Sequence, residues 1–199
     1  MKLGYSPYSY PGALFPFHTL FDSAERLDYT PVRNCDAIIL WGGTDINPKY
    51  YGEKPHPQNH YQPDSARDVD EWNWMCDARE AKIPIIGICR GAQFLCAFAG
   101  GKLIQHMHGH HDNHNITTED GQTFYASSDH HQALDLNSFP HNVAEYRVIA
   151  KADDGVPEIV YFPKVRGLAI QSHPEWEEWS NPIVQYELDL VKKLIEGVL

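Results

Sequence analysis

Cys89 stands between two glycines in Gly87-Ile88-Cys89-Arg90-Gly91. A Gly-x-Cys-x-Gly turn between a buried strand and a helix is a nucleophile elbow, whose strained backbone holds the central side chain above the end of a sheet. Glycine is needed on both sides because a Cβ there would collide with the strand or helix packed around the turn. The helix N-terminus that follows favours a thiolate. The chemistry this predicts is acyl transfer through a thioester. A thiol nucleophile also needs a base, an orienting group for that base, and N–H donors for the oxyanion. In Gln171-Ser-His-Pro-Glu-Trp176, His173 can accept the thiol proton and return it to a leaving amine, while Glu175 can hold the imidazole tautomer. The Gly42-Gly43 turn can bring backbone N–H groups close to a substrate, so the Gly43 and Arg90 N–H groups are the expected oxyanion donors.

These residues work together only if the fold puts them on one edge. Ile83–Ile88 reads as a buried strand, and Gly91–Ala99 as a helix stopped by Gly100-Gly101. Cys35–Trp41 is a second buried strand, closed by Gly42-Gly43, and Ala66–Lys82 has helical spacing at Val69, Trp72, Met75 and Cys76. The alternation of strand and helix predicts a mostly parallel sheet covered on both faces, a three-layer α/β/α sandwich of flavodoxin-like type. Gly43, Cys89 and His173 then all follow strands at their C-terminal ends, where open α/β sheets hold their sites. Further strands are expected at Lys2–Tyr5, Gln122–Ala126, Ala144–Ala150, Glu158–Phe162 and Gly167–Ser172. Helices are expected near His18–Leu27 and at Pro182–Val198, the latter from the spacing of Val184, Leu188, Val191, Leu194 and Ile195. Residues 44–66 form a long loop. Lys102 to Gly121 is polar and contains His106, His108, His110, His111 and His114. Neither a cysteine nor a helical pair accompanies them, so they read as a polar loop at the site's rim, with no metal.

The chain has 199 residues and a formal charge of −11, which fits one domain and argues against nucleic acid or an anionic membrane as the main partner. No run of about 20 apolar residues predicts a transmembrane helix, and the N-terminus lacks a signal-peptide core. Cys35, Cys76, Cys89 and Cys96 have neither metal nor disulfide-framework spacing, as in a cytoplasmic protein. Cys35, Cys76 and Cys96 read as small buried residues.

Cys89-Arg-Gly-Ala-Gln93 together with His173-Pro-Glu175 resembles the class I glutamine amidotransferases. Gly42-Gly-Thr-Asp-Ile-Asn-Pro48 with Tyr51-Gly-Glu53, Arg67-Asp68 with Glu71, Gly100-Gly-Lys-Leu103, His130-His-Gln132 and Asp154-Gly155 with Glu158 narrow the likeness to the γ-glutamyl-γ-aminobutyrate hydrolases. The resemblance implies a Cys89–His173–Glu175 triad, an oxyanion hole from Gly43 and Arg90, and no cofactor. It implies contact between Gln93 and the γ-glutamyl group, helped by Ser128, Asp129, His130 and His131. If His130 and His131 lie on a strand, only one of the two can face the substrate. The Arg90 side chain is expected to pair with Asp68 or Glu71. The implied reaction is hydrolysis of glutamine or a γ-glutamyl amine, a small-molecule substrate. The alternative is a glutaminase component that supplies ammonia to a separate synthetase; a homodimer is compatible with either. The family's second strand is expected to be reduced or replaced by the aromatic segment Tyr5–Phe21.

Overall fold

The computed structural model describes residues 1–9, 14–139 and 146–199. In chain order the elements are β1 (Lys2–Tyr5), β2 (Ser23–Arg26), β3 (Ala37–Leu40), α1 (Ala66–Ala81), β4 (Ile85–Ile88), α2 (Arg90–Phe98), β5 (Lys102–Ile104), β6 (His114–Thr118), β7 (Thr123–Ala126), β8 (Ala133–Asp135), β9 (Arg147–Ala152), β10 (Pro157–Phe162), β11 (Gly167–Ile170) and α3 (Pro182–Glu196). One sheet has the order β2-β1-β3-β4-β11-β10-β9-β6-β7, and β5 pairs with β8 apart from it. The strands from β2 to β11 are parallel. Those from β10 to β7 extend the sheet antiparallel. The α/β architecture with a parallel centre is the one expected.

The central strands are apolar throughout because both of their faces are covered. Ile38, Leu40 and Ile85 pack with Met75 and Ala78 of α1 and Phe94 and Leu95 of α2. Ile39, Trp41, Ile86 and Ile88 point the other way, onto Ile183, Val184 and Leu188 of α3. This is the two-residue alternation of a strand buried on both sides. Helix α1 starts where the Ser65 hydroxyl accepts the Asp68 N–H at 3.2 Å, and α3 starts at Asn181, with Pro182 in its first turn.

Three expectations change. Val69, placed on the apolar stripe of α1, is exposed, and the helix buries Asp68 and Glu71 alongside Met75 and Ala78. These carboxylates are buried because Arg90 meets them. The helix expected near His18–Leu27 is a 3-10 turn at Phe17–Leu20 followed by β2. Residues Ser23–Arg26 have no apolar alternation, but β1 offers them a free edge, and all four pair with it in parallel register. A second strand is therefore present after residue 21. Lys102–Gly121 is also not all loop, since β5 and β6 lie within it and His110 is buried. The expected strand Ala144–Ala150 starts outside the described residues; β9 takes up its end. Among the described residues no helix is long and apolar enough to cross a membrane.

Candidate active site

Strands β3, β4 and β11 are consecutive neighbours in the parallel region, with Leu40 opposite Gly87 and Ile88 opposite Ile170. Gly42, Cys89 and His173 leave these strands within three residues of their ends, so the register itself sets them side by side. A Cβ on Gly42 would lie 2.8 Å from His173 Cε1 and 3.5 Å from the Cys89 Cβ.

The elbow is built by close backbone approaches. A Cβ on Gly87 would fall 2.4 Å from the Gly91 carbonyl oxygen, and one on Gly91 2.4 Å from the Leu40 carbonyl oxygen. Only glycine lets the strand, turn and helix approach this closely. Cys89 adopts φ 49° and ψ −107°, a conformation that costs on the order of 1–3 kcal/mol and is held by its surroundings. Its N–H donates to the Ile170 carbonyl at 2.8 Å and its carbonyl accepts the Gln93 N–H at 3.1 Å. The thiol makes no capping bond to α2.

His173 lies between Cys89 and Glu175. Its Nδ1 meets Glu175 Oε1 at 2.8 Å, and both side chains are almost wholly buried. Burial acts against the imidazolium, but hydrogen bonding to Cys89 and Glu175 overcomes it and pushes the His173 pKa up to about 10. At neutral pH His173 therefore holds the proton a leaving amine needs. The ring lies flat against Trp176, centroids 3.6 Å apart and planes within 2°. The backbone of His173 is tied to Ser127, whose hydroxyl donates to the His173 carbonyl at 2.7 Å.

On the other side of Cys89 the Gly42-Gly43 turn is fixed by Arg67. The Arg67 Nη2 donates to the carbonyls of Trp41 at 2.8 Å and Gly42 at 3.0 Å. Gly43 has φ +143°, and a Cβ there would meet the Arg67 Nη1 at 2.4 Å. Arg67 Nε also bonds Glu71 at 3.0 Å. The buried Arg90 guanidinium pairs with both Asp68 and Glu71. One charge network thus spans the Gly42 turn and the first residue after the nucleophile. A cleft of about 460 Å³ opens here, walled by Tyr8, Gly42, Gly43, Arg67, His173 and Trp176.

The structure brings Cys89, His173, Glu175, Gly43 and Arg90 together. Gln93 is buried one turn into α2, and its amide donates to the Gln132 carbonyl at 3.2 Å and to Gln171 Oε1 at 3.4 Å. The Ser128–His131 stretch is not a strand and does not line that cleft. Ser128 donates to the His110 carbonyl, exposed Asp129 meets His111, and His131 meets Asp45. His130 is buried against His110, His114 and Glu158. Sequence reasoning missed Arg67 as the clamp of the glycine turn, and nothing in its local pattern signals that role. It also missed Trp176, which an aromatic three residues after His173 in a tight turn could have suggested.

The fold and the cysteine elbow define an α/β protein of the class I glutamine amidotransferase type. The structure of a glutamine amidotransferase from Thermotoga maritima matches it with a TM-score of 0.67 at 16% identity, covering 100% of this chain and 90% of that one. The chain belongs to the Peptidase C26 family, whose model matches residues 19–175. A glutamine amidotransferase-like protein, YvdE, of Lactococcus lactis is 33% identical over 160 residues, 71% of this chain and 67% of its own. A Mycobacterium tuberculosis relative, also named for glutamine amidotransferases, is 32% identical over 161 residues, 70% of this chain. The chain spans only 50% of the length of that relative.

Proposed function

We propose that the protein is an amidohydrolase that cleaves the γ-glutamyl amide of glutamine or of a γ-glutamyl amine, like the γ-glutamyl-γ-aminobutyrate hydrolases. The observation that carries this is His173, hydrogen-bonded to Glu175 and set against the strained Cys89. Cys89 Sγ attacks the amide carbon, and the N–H groups of Gly43 and Arg90 receive the oxyanion. His173 passes its proton to the departing amine. It then takes a proton from water, which cleaves the γ-glutamyl thioester and frees Cys89. Gln93 contacts the γ-glutamyl group, and Tyr8 and Trp176 border the space left for the amine. None of these steps requires a cofactor.

Incubation with glutamine and a panel of γ-glutamyl amines, followed by mass spectrometry of the peptide containing Cys89, tests the reading. A γ-glutamyl adduct on Cys89 and steady turnover by the chain alone are expected. If an adduct forms only with glutamine and turnover needs an added synthetase, the protein is instead an ammonia-supplying component. If no adduct forms on Cys89 with any of them, the reading fails.

Glu175→Gln gives a second test. The carboxylate is one of the two groups that raise the His173 pKa, so its loss moves that pKa down from about 10 towards its ordinary value. Expected are a fall in kcat of roughly 10^2–10^4-fold and a shift of the alkaline limb of the rate profile to lower pH. An unmoved limb would show that Glu175 does not act through His173.

A further inference from the structure

The histidines of the 106–114 segment divide into two groups. His106 and His111 turn towards His131. His110 and His114 turn instead to His130 and to Glu158 of β10, and one donor atom from each of these four residues lies within 4.8 Å of the others. His110 Nδ1 is 3.3 Å from Glu158 Oε1, His114 Nε2 3.3 Å and His130 Nε2 3.7 Å. A tetrahedral zinc with ligand bonds of about 2.0–2.2 Å separates its ligand atoms by about 3.4 Å.

The outward nitrogens identify the ring tautomers. His110 Nε2 meets Asp154 Oδ2 at 3.0 Å, His114 Nδ1 the Asp112 carbonyl at 3.0 Å, and His130 Nδ1 the Gln132 carbonyl at 2.9 Å. Each partner is an acceptor, so each ring carries its hydrogen on the outer nitrogen. With the rings neutral, the three inner nitrogens point lone pairs at one another and at a carboxylate. The one inner hydrogen bond, between His114 Nε2 and Glu158 Oε1 at 3.3 Å, does not resolve this. Three nitrogens converge on one oxygen that has two lone pairs, and their separations exceed the 2.7–2.9 Å of charge-assisted bonds. His110 Nδ1 and His130 Nε2 are left buried without a hydrogen-bond partner. A cation at the centre satisfies all four groups, and an outer carboxylate or carbonyl on every imidazole is the arrangement that orients histidine ligands.

We propose that His110, His114, His130 and Glu158 bind a structural zinc ion. Three imidazoles and one carboxylate suit Zn²⁺, and four protein ligands close the coordination shell. His110, His130 and Glu158 are buried, and His114 is partly exposed. The ion ties two irregular segments, around His110 and His130, to strands β6 and β10. The His130 N–H and the Ser128 hydroxyl both donate to the His110 carbonyl, at 3.0 and 2.7 Å. The neighbouring Ser127 holds His173, and the Glu158 carbonyl accepts the Gln171 N–H at 2.8 Å. None of the four ligands lines the cleft at His173, and the site stands whether or not the proposed reaction is correct.

The test uses the full chain without a histidine tag, stripped of metal with a chelator and titrated with Co²⁺ and with Zn²⁺. Expected are saturation at one Co²⁺ per chain with the visible absorption of tetrahedral cobalt, its displacement by Zn²⁺, and a rise in Tm of about 5 °C or more. Cys89→Ala should bind equally well, which excludes a Cys89–His173 metal adduct. His130→Gln should abolish uptake, and His106→Ala should leave it unchanged. Asp154→Asn, at a partly exposed position, should fold normally and weaken binding by about 10–100-fold. Absence of saturable Co²⁺ uptake by the native chain would overturn the proposal. So would uptake that survives His130→Gln or that is lost in Cys89→Ala.

Discussion

Cys89→Ala is expected to lower the turnover of γ-glutamyl amides by about 10^4-fold or more while shifting Tm by no more than about 4 °C. The kinetic figure follows from removal of the group that forms the covalent intermediate, since deletion of a nucleophile leaves only binding and oxyanion stabilisation. The modest stability change follows from the elbow's construction. The backbone at φ 49° is imposed by the approaches of Gly87 and Gly91, which alanine at position 89 does not alter. One sulfur atom is lost, worth about 1 kcal/mol, and 1 kcal/mol corresponds to about 2–4 °C in a chain of this size. Cys96→Ala is the control. Cys96 is also buried, but burial, with the Asp135 charge added, drives its thiol pKa far up, and among the described residues no histidine is bonded to it. Its replacement should cost comparable stability and no activity. Normal turnover by Cys89→Ala would eliminate the thioester route.

The elements that position the elbow are those the sequence makes plainest. Runs such as Ile85–Ile88 and Gly167–Ile170 are apolar without interruption because helices cover both faces, and the two glycines around Cys89 have no other local purpose. The shared edge was legible to the same extent: three buried strands, each followed within three residues by a chemically distinctive residue, belong on one edge. The N-terminal edge was not legible. Ser23–Arg26 is polar and has helix-forming residues, and only the unpaired side of β1 makes it a strand. Long-range side-chain placement was equally hidden. Arg67 reaches the Gly42 carbonyl 25 residues away, and Glu158 joins histidines 28 to 48 positions before it. No local period records such contacts, so the histidine segment reads as a polar loop until β10 supplies the carboxylate. His130-His131, noticed as a pair, separates because the two rings sit on an irregular segment and find different acidic partners.

Arg90→Leu is expected to destabilise the fold by about 3–5 kcal/mol, the cost of leaving buried carboxylates without their cation. That is a large share of the roughly 5–15 kcal/mol that stabilises a typical domain, and Tm should fall by about 10 °C. The Arg90 guanidinium is buried and divides itself between Asp68 and Glu71. Without it, Glu71 keeps Arg67 at 3.0 Å and the Ser6 hydroxyl at 2.7 Å, and Asp68 keeps the Asn47 N–H at 3.0 Å. The pH dependence separates this account from a simple packing defect. Burial pushes the Glu71 carboxyl up, but Arg90 and then Arg67 outweigh it and hold its pKa below the ordinary 4.5. A depressed carboxylate contributes stability that is present above its unfolded pKa and is lost as pH falls through the folded one. In the variant the largest opposing charge is gone, and the Glu71 pKa is expected to rise through its unfolded value, since only Arg67 and the Ser6 hydroxyl then oppose burial. Its contribution then changes sign: the variant recovers stability as pH falls from about 7 to 4.5, while the native protein gains none from Glu71 there. Urea midpoints measured across that range for both proteins test this directly. A deficit that stays constant with pH would assign the loss to packing and remove the charge network from the account of how the elbow and the glycine turn are held.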